Sequence, residues 1–226
     1  MPITESPAVY PYLAVGVVEI FYQGQEGVVR AIGSGYLFST PQYPGRRFIL
    51  GAGHNLRHMG AGFNQLLFTF YRQRDIYTVA ERDDGTPRYA IAGSALPNDY
   101  GVFVLAEDAP SGLQPLSLAT VQPGPPLNAI AAGGLAAQVR EGNRAIYMSS
   151  ATFNSEALGL LAAPVGTTAP GMSGGPILRQ TSSAWSAYGV IHGEGTINQQ
   201  PYDLAVAFSD ATLQQINLLI AAALSG

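Results

Sequence analysis

The segment Gly-Met-Ser-Gly-Gly-Pro at residues 171–176 is the most informative stretch of this 226-residue chain. A serine between glycines can lie on a tight turn that leaves its Oγ exposed. On such a turn the backbone N–H groups of Gly171 and Ser173 are free to point at one developing negative charge. The residues that follow, from Pro176 onward, have the pattern of a strand. The segment therefore indicates that Ser173 is a candidate nucleophile.

The same segment also fits G-x-S-x-G, which in α/β-hydrolases is a sharp turn between a strand and a helix. That interpretation requires a helix after the serine and an acidic residue before the histidine. Here a strand pattern follows the serine, and His192 precedes Asp203. The α/β-hydrolase interpretation therefore fails on element type and on residue order.

A serine nucleophile needs a base, and the chain has three histidines, His54, His58 and His192. His54 ends an apolar run, where a strand leaves the core for a loop. Asp99 stands directly before a hydrophobic run, and a carboxylate there costs desolvation energy unless it is hydrogen-bonded. An imidazole would supply that partner. The alternatives are a structural histidine and an Asx turn, and His58 is expected to face the solvent.

Short runs of β-branched and aromatic residues, separated by turn residues, fill most of the chain. The predicted strands are 13–22, 27–38, 47–52, 65–71, 76–80, 88–92, 100–105, 127–132, 144–153, 159–163, 175–179, 184–192 and 204–208. Such spacing favours an all-β fold over βαβ units. The breaker-rich segment 106–126 predicts a linker between two β units, residues 1–110 and 111–226.

The last segment has a helical pattern, because Ser209 and Asp210 can cap a helix. Apolar residues then recur at helical spacing, which predicts one helix of about 14 residues. We expect this helix to pack on the second β unit.

Composition excludes several function classes. The absence of cysteine excludes disulfides, thiolate metal sites and cysteine nucleophiles. A net charge of −4 makes nucleic acid a poor partner. No apolar run is long enough to cross a membrane, and the first residues have no signal-peptide pattern. We therefore expect a cytoplasmic protein, or the mature part of a longer exported or polyprotein precursor.

The order His54, Asp99, Ser173 across two β units resembles that of the chymotrypsin-like serine peptidases. The matching motifs are Gly-Ser-Gly-Tyr-Leu-Phe at 33–38, Leu-Gly-Ala-Gly-His at 50–54, Asn-Asp-Tyr-Gly-Val-Phe-Val-Leu at 98–105, Gly-Met-Ser-Gly-Gly-Pro at 171–176, Tyr-Gly-Val-Ile-His-Gly at 188–193 and Ala-Val-Ala-Phe at 205–208. The resemblance covers nearly the whole chain. It implies two six-stranded antiparallel β-barrels with the active site between them, followed by the C-terminal helix.

The resemblance also implies a function, that of a serine endopeptidase. Ser173 would attack the scissile carbonyl, His54 would take its proton, and Asp99 would orient the imidazole. The N–H groups of Gly171 and Ser173 would form the oxyanion hole. No metal or cofactor is implied, and the partner is a protein or peptide substrate. The alternative is a catalytically silent peptide-binding protein on the same fold.

Two departures narrow the resemblance. Asn55 follows the histidine where many family members have a cysteine, which indicates a disulfide-poor bacterial or viral branch. Met172 stands where many animal peptidases have an aspartate that pairs with a new amino terminus. Its presence argues against that activation switch.

The resemblance also implies five substrate-binding residues in the C-terminal half: Thr167, Thr168, His192, Gly193 and Glu194. In this fold Thr167 and Thr168 line the primary specificity pocket. Thr168 together with His192 resembles the glutamyl endopeptidases, in which such a pair binds an acidic side chain. A pocket for small or apolar residues is the alternative, and Glu194 would repel an acidic substrate if it faced the pocket.

Overall fold

The computed structural model describes residues 2–59, 63–73, 75–156, 158–181 and 184–225. Its strands in chain order are β1 (Thr4–Glu5), β2 (Val15–Gly24), β3 (Gly27–Phe38), β4 (Phe48–Gly51), β5 (Phe63–Phe70), β6 (Tyr77–Thr78), β7 (Tyr89–Ile91), β8 (Gly101–Phe103), β9 (Ser117–Leu118), β10 (Leu127–Gly134), β11 (Ile146–Glu156), β12 (Leu160–Ala163), β13 (Pro176–Gln180), β14 (Trp185–Ile197) and β15 (Gln200–Ala207). Its α-helices are α1 (Gly53–Leu56), α2 (Ala136–Arg140) and α3 (Asp210–Leu224), and two short 3-10 helices span Tyr12–Ala14 and Arg57–Met59.

The N-terminal barrel is a curled antiparallel sheet of seven strands in the order β6-β5-β2-β3-β4-β8-β7. Its two ends approach each other beyond the named strands, where Val79 and Leu105 form an isolated bridge. The long strands β2 and β3 form its centre, and buried valines, isoleucines and aromatic residues of these strands fill its interior. A second isolated bridge joins Glu81 and Pro87, so this sheet is held into a barrel by packing and by isolated bridges rather than by a continuous closing ladder.

The C-terminal barrel is closed. Its six strands follow the order β11-β10-β13-β14-β15-β12, and β12 pairs with β11 to complete the ring. Two short strands add to its outside: β1 pairs with β11, and β9 runs parallel to β14. Closure leaves little backbone unpaired, which suits a barrel that carries a loop of fixed shape.

The all-β double barrel predicted from the sequence is thus confirmed, with the C-terminal barrel closed on six strands and the N-terminal one a curled sheet of seven. Each predicted strand is present, and β3 has the predicted bounds, residues 27–38. The division into residues 1–110 and 111–226 stays a prediction. The predicted linker 106–126 contains β9, and β1 lies on the C-terminal barrel although it precedes the first long strand.

The helix α3 begins as predicted, since Ser209 Oγ accepts the N–H of Thr212 at 3.1 Å. Its expected position on the second β unit is wrong, because α3 packs against β7 and β8 of the N-terminal barrel. The Arg88 guanidinium donates to the carbonyl of Leu224 at 2.8 Å on the same barrel. The apolar side of α3 covers the N-terminal barrel's core, while the ring of the other barrel is already complete. Among the described residues no helix is long and apolar enough to cross a membrane.

A cluster of ion pairs around the buried carboxylate of Glu19 ties the two barrels together. Glu19 on β2 is 1% exposed, and its carboxylate accepts hydrogen bonds from Arg30 of β3 and from Arg144, which precedes β11. The bond from Arg144 Nε to Glu19 Oε1 measures 2.6 Å. Arg30 also donates to the carbonyl of Val139, at 3.3 Å. One carboxylate thus joins cations from both barrels, and we call this set the Glu19 cluster.

Candidate active site

His54 lies in α1, a single turn that follows β4. The turn can form because residue 53 is glycine, since a Cβ at Gly53 would lie 1.7 Å from the carbonyl oxygen of Gly93. The backbone N–H of His54 donates to Asp99 Oδ1 at 2.7 Å, and its Nδ1 lies 2.6 Å from Asp99 Oδ2. Two contacts to one carboxylate fix both the backbone and the ring of His54, and they direct Nε2 away from Asp99.

Asp99 precedes β8, and its side chain is fully buried. Burial on its own raises the pKa of this carboxyl, because it penalises the charged form. Hydrogen bonds from His192 and His54, with the charge and the backbone N–H of His54, more than offset burial and hold the pKa well below its usual range. Asp99 is therefore a buried carboxylate that stays ionised at neutral pH.

Ser173 lies on a turn that only glycines on either side allow. Gly171 and Gly174 have φ of +101° and +93°, and a Cβ at Gly174 would lie 2.1 Å from the carbonyl oxygen of Ser34. The carbonyl of Ser173 accepts the N–H of Ser34 at 2.8 Å and Nδ2 of Asn55 at 3.1 Å. Both donors belong to the N-terminal barrel, so this barrel holds the serine turn beside Asn55, the residue that follows His54.

The backbone N–H groups of Gly171 and Ser173 have no hydrogen-bond partner within the described ranges. The orientation of both peptide planes is fixed from their other side. The carbonyl before Gly171 accepts the N–H of Ala136 at 2.8 Å, and the carbonyl before Ser173 accepts the N–H of Gly175 at 2.9 Å. Because C=O and N–H point in opposite directions across a trans peptide, both N–H groups are held free for another acceptor.

The hydroxyl of Ser173 does not donate to His54 in this structure. It donates instead to the backbone carbonyl of His192, at 2.8 Å. The pairing of β14 with β15 shifts register between Ile191 and Gly193, so His192 is an extra residue at a bulge. A catalytic hydrogen bond is often formed only when the substrate is bound, and the resting position of this hydroxyl is one such case to test.

The side chain of His192 lies where the sequence did not place it. Its Nδ1 lies 2.5 Å from Asp99 Oδ2, the oxygen that also contacts His54. The two imidazole rings meet edge to face, with centroids 5.4 Å apart. His192 therefore contacts the carboxylate beside His54 through its Nδ1, and only its Nε2 remains for a substrate.

The two predicted pocket threonines are buried; the hydroxyl of Thr167 and the backbone N–H of Thr168 have hydrogen-bond partners. Thr167 Oγ1 donates to the carbonyl of Pro164 at 2.7 Å, and the N–H of Thr168 donates to Asp203 Oδ2 at 2.8 Å. Asp203 is 1% exposed, and its Oδ1 has no hydrogen-bond partner among the described residues. Sequence reasoning missed Asp203 as part of this region, because a lone aspartate in a strand pattern carries no signal of its partner.

Gly193 and Glu194 line β14 next to the serine. A Cβ at Gly193, which has φ of +121°, would lie 3.5 Å from Ser173 Oγ, so bare backbone faces the hydroxyl. Glu194 is exposed, and its Cα pairs across the sheet with that of Asp203. Two carboxylates thus occupy neighbouring strand positions near the predicted specificity pocket.

His58 is the third histidine, and the expectation that it faces the solvent is wrong. It is half-buried and stacks on Tyr22, with ring centroids 4.1 Å apart and an interplanar angle of 8°. Burial lowers the pKa of His58, and the charges of Arg57 and His54 lower it further. His58 contacts neither Asp99 nor Ser173 in any hydrogen bond of the described chain.

The ligand atoms of His54, Asp99 and His192 lie within 4.8 Å of one another, as metal ligands do. Each Nδ1 is nevertheless 2.5 to 2.6 Å from the carboxylate oxygen. Ligands about 2 Å from one tetrahedral metal ion would lie roughly 3.3 Å apart. The spacing therefore fits hydrogen bonds between the three side chains better than a shared cation.

Comparison with known proteins places this geometry in a structural class. A glutamyl endopeptidase in complex with MPD superposes with a TM-score of 0.72, at 16% identity over 97% of each chain. The protease Anisep from Arthrobacter nicotinovorans gives 0.66, at 16% identity over 99% of this chain and 100% of the other. The thermostable serine protease AL20 from an extremophilic microorganism gives 0.65, at 17% identity over 95% and 99%. No family model and no curated protein matches the sequence. The chain has the fold of the chymotrypsin-like serine peptidases.

Proposed function

We propose that this protein is a serine endopeptidase that cleaves protein or peptide substrates through an acyl-enzyme. The observation that carries the proposal is the contact of His54 with Asp99 at two points, beside a serine turn with two free N–H groups. The protease names of the structural neighbours support it at the level of the fold.

The proposed reaction starts with rotation of the Ser173 hydroxyl from the carbonyl of His192 toward His54 Nε2. The Oγ attacks the scissile carbonyl while His54 takes the proton, and Asp99 stabilises the imidazolium that forms. The N–H groups of Gly171 and Ser173 bind the oxyanion. His54 then protonates the leaving amine, and water releases the acyl group by the same steps in reverse order.

The alternative, a catalytically silent peptide-binding protein, is not favoured. Such a protein has no need for an ionised, buried carboxylate that holds the imidazole in one orientation. Nor does it need two N–H groups whose peptide planes are fixed from behind.

For the residue before the cut, the two predicted preferences have different support. An acidic residue is supported by the name of the glutamyl endopeptidase neighbour and by the pairing of Thr168 with His192 in the sequence. A small uncharged residue is supported by the carboxylates of Asp203 and Glu194 near Thr168, which disfavour a third negative charge. We therefore propose that the enzyme prefers a small uncharged residue before the cleaved bond.

Labelling and a substrate series test the proposal together. A fluorophosphonate should add once, at Ser173, as read by peptide mass spectrometry. Ser173→Ala should abolish labelling and cleavage of unfolded casein, while Ser150→Ala, at an exposed serine of β11, should change neither. In peptides that differ only before the cut, alanine should give a higher kcat/KM than glutamate. Absence of labelling in the unaltered protein would contradict the enzymatic proposal, and a glutamate preference would overturn only the specificity.

A further inference from the structure

One carboxylate oxygen in this site serves two imidazoles. Asp99 Oδ2 lies 2.6 Å from Nδ1 of His54 and 2.5 Å from Nδ1 of His192, while Oδ1 accepts the backbone N–H of His54. Asp99 is fully buried, and both rings are about three-quarters buried. No water need complete this cluster, because each carboxylate oxygen already has a protein donor.

The protons of the cluster follow from these contacts. For both rings to donate to an ionised carboxylate, both must carry hydrogen on Nδ1. Each ring then keeps a lone pair on Nε2 and can take one further proton. The same carboxylate would stabilise either imidazolium, but it cannot neutralise both. Protonation of one ring therefore disfavours protonation of the other, at a centroid separation of 5.4 Å.

His192 also contacts the nucleophile through its backbone. Its carbonyl accepts the Ser173 hydroxyl at 2.8 Å. The bulge explains how one residue reaches both groups, because the register shift between Ile191 and Gly193 removes His192 from the regular ladder. Among the described residues, His192 is thereby the one that forms hydrogen bonds to both Asp99 and the Ser173 hydroxyl.

We propose that His192 is a positioning residue for the triad, whose imidazole shares Asp99 with His54 so that the two histidines titrate as a coupled pair. This inference rests on the proposed function, and it gives His192 a role other than substrate binding. When His54 gains the proton from Ser173, its bond to Asp99 strengthens and the bond from His192 weakens.

Other charged groups face this pair from each side. Glu194 lies two residues further along β14, and Asp203 pairs with Glu194 from β15. Arg57 and His58 follow His54 on the N-terminal barrel. None of these groups forms a hydrogen bond to either ring in the described chain. The coupling of the two histidines through Asp99 is therefore distinct from the longer-range electrostatic effect of these charged groups.

The direct test is an NMR titration from about pH 4 to about pH 9, in which the chain's three histidines give separable ring signals. His58, which stacks on Tyr22 and has no contact with Asp99 among the described hydrogen bonds, gives the third signal. In the Ser173→Ala protein, His54 and His192 should each show the same two steps, separated by more than about one pH unit. In the additional variant His192→Asn, which keeps a donor near the Nδ1 position without a titration, His54 should show a single step. Independent single steps in both proteins would overturn the inference. This titration needs no turnover, so it stands or fails separately from the proposed function.

The kinetic test separates positioning from substrate binding. His192→Ala should lower kcat about tenfold and change KM less than about threefold. His192→Asn should recover most of kcat. A rise in KM at unchanged kcat in either variant would assign His192 to the substrate instead and would overturn the inference.

Discussion

Two buried carboxylates join the barrels, and they differ in the cations or rings that they bind. Glu19 accepts hydrogen bonds from Arg30 of the N-terminal barrel and Arg144 of the C-terminal one. Asp99 contacts His54 of the N-terminal barrel and His192 of the C-terminal one. Both carboxylates are almost wholly excluded from solvent. The arrangement is the same in outline, one carboxylate and one partner from each barrel.

The two carboxylates differ in whether their partners can exchange a proton. A guanidinium keeps its charge at any pH that the protein survives, so the Glu19 cluster is a fixed link. An imidazole can carry a charge or be neutral, so the partners of Asp99 differ from those of Glu19 in that they can exchange a proton. The two links therefore have different expected roles. One holds the two halves of the cleft together, and the other allows a proton to move within it.

The largest effect is expected from Asp99→Asn. The amide can no longer stabilise an imidazolium, and it favours the wrong tautomer of His54, so kcat should fall on the order of 10⁴-fold. Steady-state cleavage of a peptide ester or amide measures this. The matched change Glu19→Gln should alter kcat per folded molecule by less than about threefold. Equal losses of kcat in the two variants would contradict a catalytic role for Asp99 that Glu19 does not share.

The order is expected to reverse for stability. Glu19→Gln leaves two arginines without their carboxylate, and loss of one partner of a buried pair costs roughly 3 to 5 kcal/mol. Because both arginine side chains are 31% exposed, we expect the lower end of that range, about 3 kcal/mol. Urea unfolding followed by tryptophan fluorescence provides the measurement. A midpoint unchanged from that of the unaltered protein would show that the cluster is no structural link.

The pH dependence of stability sharpens the comparison further. The pKa of Asp99 is depressed in the folded protein, so its stabilising contribution is complete above the usual value of 3.8 and is lost as the pH falls below it. The free energy of unfolding should therefore drop between about pH 5 and about pH 2.5 by more in the unaltered protein than in Asp99→Asn. Parallel curves for the two proteins would contradict this contribution.

The smallest effect is expected at the surface. Arg72 contacts Glu5 at 2.8 Å in an exposed ion pair that also lies near the barrel junction. Water and salt screen such a pair, so Arg72→Gln should leave the thermal midpoint within the error of a scan, at low and at high salt. A clear shift of the thermal midpoint would show that this ion pair stabilises the fold despite its exposure.

Much of the fold was accessible from the sequence because strands and turns leave local patterns. The run 27–38 became β3 with its predicted bounds, and the cap at Ser209 marked the start of α3. The position of α3 could not be read in this way. It depends on which barrel remains open, which is a property of the completed sheets rather than of the helix.

The candidate site is likewise predictable from the sequence only in part. His54, Asp99 and Ser173 are recognisable in the sequence because each stands at a strand end or in a glycine turn. The structure places the Asp99 carboxylate against the backbone of His54, and the Ser173 carbonyl against the side chain of Asn55. The side chain of His192 was assigned to substrate binding, and its contact with Asp99 depends on a one-residue bulge in β14. A shift of one residue turns a strand side chain to the other face, and no local pattern in the sequence reveals such a shift.

The ends of the described chain cross over between the barrels. Residues 4–5 form β1 on the C-terminal barrel, whereas α3 lies on the N-terminal one. Each barrel is thus covered in part by a segment, β1 or α3, that adjoins the other barrel in the sequence. A cut within the connection at residues 111–116 would leave two fragments, each carrying a piece that completes its neighbour. Such fragments have a physical reason to reassemble, and hinge-like opening of the cleft is resisted from both sides.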